Sequence, residues 1–221
     1  MYSFTCFTIV PLLAIQFDRV PLPVSPSGSI QPLTILTCLL NRHYVKPALQ
    51  SSLLEVAEEI RKKYPGTIIS YLDANFPFLD GFPLMPHLSH YDGKKVDLAF
   101  MYADARNGGY VPGQAPSPIG YGVCEEPTGN EKNMPQICEN KGYWQYSLLP
   151  KLISPYVKTN LKLDPDRTRD LIRFASGNKR ISKIFLEPHL IKRMHLEGLN
   201  KIRFHGCQAV RHDDHVHLQV K

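Results

Sequence analysis

The sequence predicts an α+β fold, a single domain with one central, mainly antiparallel sheet, flanking helices and long loops. Three observations carry this. The 221 residues, 43% hydrophobic and 21% charged, have a globular composition and suffice for one large core. Short runs rich in β-branched and aromatic residues recur at uneven spacing, interleaved with helical patterns. Nineteen prolines against 14 glycines mark many turns and argue against a coiled coil, and no internal repeat is found.

Taken in order, residues 1–45 read as an N-terminal segment of strand and extended chain, ahead of a domain at residues 46–221. Met1 to Phe17 carries no charge, and Thr8 to Ile15 is mostly apolar. This run reads as a buried strand, or else as a degenerate export signal or truncated membrane anchor. A basic n-region is missing and Pro11 interrupts it. No apolar stretch reaches the ~18 residues of a membrane span. Val20 to Leu40, also uncharged and holding four prolines, reads as extended chain. Pro47 to Lys63 is a helix, with Leu49, Leu53, Leu54, Val56, Ala57 and Ile60 as its apolar stripe. Pro65-Gly66 ends it. Thr67 to Leu72 reads as a strand, Asp73 to Tyr91 as a loop, and Val96 to Met101 as the next strand. Ala103 to Gly142 is polar and rich in Gly and Pro, and a structureless loop of that length is functional or disordered. Tyr143 to Val157 reads as partly helical. Asp164 to Ser176 is a helix opened by Asp-Pro-Asp. Ile181 to Leu186 is a strand, Pro188 to Leu196 a short helix, and His215 to Val220 an alternating strand.

The charge balance, 26 basic minus 20 acidic residues or +6, is spread along the chain. Without a basic block or an RNA-type aromatic motif it gives no nucleic-acid footprint, only mild attraction to anionic surfaces such as a cell-wall polymer. Cys124 and Cys138 flank a polar loop of 13 residues, a spacing that suits a disulfide in an oxidising compartment. Cys6, Cys38 and Cys207 are buried thiols or supply one further bridge, and the connectivity stays open.

The histidines concentrate the chemistry. His87 and His90 lie together, and Asp97 follows His90 after six residues inside an apolar strand. A buried carboxylate without a partner is costly, and a metal ion would satisfy it. At the far end, His212, Asp213, Asp214, His215 and His217 form a second cluster. Residues two apart on a strand share a face, so His215 and His217 point together while Val216 enters the core. Two histidines and an aspartate make three ligands, with a fourth position left for water, which is the layout of a catalytic zinc site. No HExxH helix is present. Asp213 and Asp214 read as turn residues or as carboxylates orienting a histidine, the turn reading being favoured for at least one. Tyr91, next to His90, reads as an oxyanion donor or as aromatic packing, packing being favoured. Trp144, with Tyr143 and Tyr146, reads as core or as a groove wall.

The motif His87-x-Ser89-His90, six residues, Asp97, then His212-Asp213-Asp214-His215-x-His217 resembles the penicillin-insensitive murein endopeptidases. These are zinc peptidases grouped with lysostaphin-type enzymes, D-alanyl-D-alanine peptidases and the hedgehog signalling domain. Gly93 and the run Arg180 to Pro188 fit the same pattern, which covers about His87 to Phe100 and Arg180 to Val220. The resemblance implies a zinc site on the sheet, with His90, Asp97 and His217 as ligands. It implies His215 as the catalytic histidine beside the metal, and His212 and His87 as further active-site histidines. It implies a peptidoglycan peptide as substrate, cut at a cross-link, in the periplasm or cell envelope of a bacterium. Alternatives within reach are a D,D-carboxypeptidase or dipeptidase of the same group and a non-catalytic, zinc-stabilised binding domain. An envelope enzyme needs an export route, and the weak N-terminal signal points to a coding region extending upstream or to membrane association through the N-terminus. Nothing in the sequence sets the oligomeric state.

Overall fold

The computed structural model describes residues 1–25, 28–85, 87–146 and 157–221. Its centre is a six-stranded sheet in the order β2 (Ile30–Pro32), β4 (Ile69–Tyr71), β5 (Lys95–Ala99), β10 (His215–Val220), β8 (Ile181–Phe185) and β9 (Ile202–Arg203). The four inner strands pair antiparallel, and the two edge pairs, β2 with β4 and β8 with β9, are parallel. This is the α+β class with a mainly antiparallel sheet. Two small ribbons join it, β1 (Val20–Pro21) with β3 (Tyr44–Val45) and β6 (Tyr102–Asp104) with β7 (Leu161–Leu163).

The sheet is buried on one face by two helices, labelled α3 (Pro47–Lys63) and α5 (Pro165–Gly177). In α3 the buried residues Leu49, Leu53, Val56, Ala57 and Ile60 follow the 3.6-residue period. Leu54, placed in that stripe by sequence, is 45% exposed. Asp164 caps α5 by accepting from Arg167 N at 3.0 Å. Alternation along the strands does the rest. Val96 and Leu98 of β5 and Val216, Leu218 and Val220 of β10 enter this core. Burying each of them contributes about 1.5–3 kcal/mol over leaving it exposed. The alternate residues face the other side, where the long loops gather.

The N-terminal segment departs from the extended chain expected there. Tyr2–Phe4, Thr5–Ile9, Val10–Ala14 and Ile15–Phe17 form one helical stretch, α1, that passes from α through π to a 3₁₀ end. Cys6, Val10 and Ala14, four apart, are its buried seam, while Phe4, Leu12, Leu13 and Ile15 are exposed. A run apolar on every side carries no period, so sequence could not tell this helix from a strand. A short helix α2 (Ile35–Leu39) follows β2, whose pairing with β4 ties the first 45 residues to the sheet.

The stretch Ala103–Gly142 is not structureless either. It starts in β6 and carries α4 (Met134–Asn140), whose N-cap Asn133 accepts from Gln136 N at 2.9 Å. Of the partly helical region expected over Tyr143–Val157, a 3₁₀ turn at Trp144–Tyr146 is seen, and residues 147–156 lie outside the described residues. The last helix, α6 (Pro188–Arg193), stops before His195, which takes a positive φ of 51°.

The disulfide also differs from the spacing-based expectation. Cys138 bonds Cys207, with Cα atoms 5.2 Å apart, and Cys124 is a free thiol. Cys138 is turned inward on α4 toward the loop after β9. The chain beside Cys124 is instead held near the last histidine cluster, where Glu125 N donates to Asp213 O at 2.8 Å.

Candidate metal centre

Strand register builds the site. Asp97 on β5 and His217 on β10 are direct partners across the antiparallel pair, and His215 sits opposite Ala99. Such cross-strand neighbours have side chains within contact distance on the same face. His90 reaches them from the loop between β4 and β5. Its Nδ1 donates to Ala74 O at 2.8 Å, which turns Nε2 inward. Gly93, just beyond, has a φ of 75°, and a Cβ there would collide with the buried Arg19 guanidinium.

Three ligand atoms converge. His90 Nε2 lies 3.2 Å from His217 Nδ1 and 3.3 Å from Asp97 Oδ1, and the latter two are 2.8 Å apart. Donors at zinc–nitrogen and zinc–oxygen bond lengths around a tetrahedron sit about 3.3 Å from one another. All three side chains are buried, and together they could hold a metal ion. The donor set of two imidazoles and one carboxylate, open on one side, suits zinc in type and number. One further atom points to a missing partner: His215 Nε2, facing the cluster, is buried without a hydrogen bond among the described residues.

Around these ligands a ring of polar contacts fixes orientation. Tyr121 Oη donates to Asp97 Oδ2 at 2.8 Å, leaving Oδ1 for the ligand cluster. His87 Nδ1 is 3.1 Å from Asp73 Oδ2 and 3.4 Å from Asp97 Oδ2. His215 Nδ1 meets Asp214 Oδ1 at 2.5 Å, and its Nε2 is 3.7 Å from Asp97 Oδ1. Asp214 is itself held by Gly122 N at 2.6 Å. His212 stands with its ring 5.0 Å from that of His215 and 5.7 Å from that of His217.

The charges suit metal binding. Burial holds the His217 pKa down at about 4 against the pull of Asp97, so the ring is neutral. Asp97 is fully buried, which opposes ionisation, but the surrounding histidines outweigh that and hold its carboxyl well below the usual range. A neutral imidazole and an ionised carboxylate are the forms that ligate. Burial disfavours charge on His215, yet Asp97 and Asp214 outweigh it and raise its pKa to about 9. A cation on Asp97 would cancel one of those two carboxylates and bring His215 down toward the range of a general base. Burial, then His215 and His217, drive His212 well below its ordinary value.

The cluster opens into a cavity of about 560 Å³. Its polar floor is the histidine cluster with Asp97 and Tyr121, and its walls include Met85, Leu88, Trp144, Phe185 and Val210. Trp144 is 67% exposed at the rim, whereas Tyr146 is buried and donates to Glu187 Oε1 at 3.2 Å. Of the two wall-or-core readings, each applies to one aromatic residue. Tyr91 is half-exposed, stacked under the Lys95 ammonium at 4.7 Å, and does not line the cavity.

All six sequence-selected residues, His87, His90, Asp97, His212, His215 and His217, line this one cavity. Neither Asp213 nor Asp214 is a free turn residue. Asp214 orients His215, and Asp213 takes a two-pronged contact from Arg211 at 2.9 and 2.6 Å. Tyr121 and the Arg42–Asp73 pair escaped sequence reasoning. The one available signal was the triplet Gly120-Tyr-Gly122, whose glycines have φ of 84° and 86° and swing the ring into the site. No protein-family model and no curated protein matches the chain.

Proposed function

We propose that the protein is a zinc-dependent peptidase acting on the peptide cross-links of peptidoglycan. One observation carries the reading: three ligand atoms 2.8 to 3.3 Å apart, close to tetrahedral spacing, stand beside a third, unligated imidazole at the head of a cavity. A structural zinc site is closed by four protein ligands, whereas hydrolytic sites keep three and an open position. The sequence pattern, which resembles the murein endopeptidases, supplies the substrate class.

When bound, zinc supplies Lewis acidity and lowers the pKa of a coordinated water to near 7. His90, Asp97 and His217 would hold the ion. Asp214 keeps the His215 Nδ1 proton, so Nε2 is the atom that accepts a proton from the attacking water and returns it to the leaving amine. His212 flanks the same space and offers a ring N–H to the scissile carbonyl as negative charge develops, while His87 offers an acceptor nitrogen to a substrate N–H. The apolar walls exclude water from one side of the substrate. The Cys138–Cys207 bond supports an oxidising location such as the bacterial periplasm or cell envelope. The exposed apolar residues of α1 support association with a membrane surface.

The test is digestion of purified cross-linked muropeptides by the zinc-loaded protein, read by mass spectrometry. Dimers should convert to monomers, and a chelator should stop it. His215→Ala should lose at least 10²-fold in turnover, in keeping with loss of a general base, while binding one zinc per chain. Release of terminal D-alanine without dimer cleavage would replace the endopeptidase by a carboxypeptidase. Intact muropeptides from folded, zinc-bound protein would leave a zinc-stabilised binding domain.

A further inference from the structure

Arg42 belongs to no motif and lies in the connection between α2 and β3, far in sequence from the histidine clusters. Its side chain is nevertheless only 17% exposed, and that of Asp73 11%. The guanidinium grips Asp73 with both prongs, Nε to Oδ1 at 2.7 Å and Nη2 to Oδ2 at 2.6 Å. Nη2 also donates to Met85 O at 2.9 Å, two residues before His87. The backbone repeats the grip, because Ala74 N donates to Arg42 O at 2.7 Å.

What Arg42 holds is the spine of the site. Asp73 Oδ2 lies 3.1 Å from His87 Nδ1, and Asp73 N donates to Tyr121 Oη at 3.1 Å. Tyr121 passes the contact to Asp97 Oδ2. Asp73 O accepts from Asp97 N at 2.8 Å, and Ala74 O fixes His90. Four residues of the cavity floor thus hang on two consecutive residues, and those two hang on Arg42. A planar two-pronged grip fixes the carboxylate in direction as well as position, which a lysine point charge does not.

We propose that Arg42 and Asp73 are positioning residues of this centre, and that the Arg42-held carboxylate sets the tautomer of His87, with the proton on Nδ1 and Nε2 offered to the substrate. The rate consequence rests on the peptidase reading, and the tautomer does not. Carboxylates behind site histidines fix ring orientation and tautomer, and their loss typically costs 10–100-fold in affinity or activity.

The experiment compares wild type, Asp73→Asn, Arg42→Lys and Arg42→Met, each zinc-loaded and checked for cooperative unfolding. The readout is the imidazole ¹⁵N spectrum of His87 at alkaline pH, assigned by a His87→Gln variant. Wild type should show protonated Nδ1. Asp73→Asn can donate to Nδ1 and should shift the ring to the Nε2–H form. Arg42→Lys should show a mixture of the two forms even if Arg42→Met fails to fold. On a cross-linked muropeptide dimer, kcat should fall about 10–100-fold with KM within threefold and one zinc retained. A His87 ring that stays Nδ1–H in Asp73→Asn would assign the hold to Asp97 and overturn the proposal, as would an Nε2–H ring in wild type. If wild type leaves the dimer intact while the tautomer shifts as described, the peptidase reading falls and the positioning role stands.

Discussion

Glu187 shows how a single residue here stores a pH dependence. It is fully buried, Tyr146 donates to its Oε1, and Oε2 has no partner among the described residues. Burial, and then the neighbouring Asp213 carboxylate, push its pKa from 4.5 to about 7. The folded state therefore binds more protons than the unfolded chain between those values. Stability should fall as pH rises from 4.5 to about 7 and level off above it, where both states are ionised. Glu187→Gln keeps the size and an acceptor for Tyr146 while removing the charge. Urea unfolding at a series of pH values should show that decline flattened, with a gain of about 2–3 kcal/mol above neutrality. A variant no more stable than wild type at pH 8 would mean that the carboxylate is not buried in charged form. At this scale His90, Asp97, His215 and His217 were legible, because residue type and spacing announce them. Tyr121, Asp73 and Arg42 were not, since a tyrosine, an aspartate and an arginine acquire their roles from contacts 24, 31 and 48 residues away in sequence. 

Among the elements, those with a period were readable and those without one were not. α3, β5 and β10 alternate or repeat, so their buried faces follow from the sequence. α1 is apolar all round. α4 is short and opens with Asn133 and Pro135, a cap and a first-turn proline that pass equally well for loop residues. α4 matters because Cys138 fastens it to the loop after β9, which forms part of the cavity wall at His205 and Gln208–Arg211. Gln145 reinforces this by donating to Cys207 O at 3.0 Å. Replacing both cysteines with serine should cost about 2–4 kcal/mol in chemical denaturation, the usual scale for removing a long-range disulfide. A non-reducing peptide map should recover Cys138 joined to Cys207 and Cys124 as a free thiol. A Cys124–Cys138 peptide would refute the pairing.

Over the whole molecule, one face of the sheet is committed to stability and the other to the site. α3 and α5 cover the first, and buried histidines and carboxylates crowd the second. A fold that gathers this many buried polar groups at one cluster gains from any ion that binds only the folded form. At a zinc concentration of ~100 Kd the gain is about 2.7 kcal/mol. Calorimetry should show the unfolding temperature rising with zinc and falling with chelator, and His217→Ala should abolish the response. An unfolding temperature indifferent to zinc in wild type would remove the metal centre.

The pairing of Asp97 with His217 has a consequence for how the chain assembles. The two residues are 120 positions apart, yet they are neighbours across a single strand pair. An ion bridging them is a removable clasp on a very long loop, and the entropy of closing such a loop is met by strand pairing before the clasp can form. A metal bound there would arrive at a completed structure and guard its exit rather than its entrance. Its presence would then be felt in how slowly the molecule comes apart, not in how quickly it comes together.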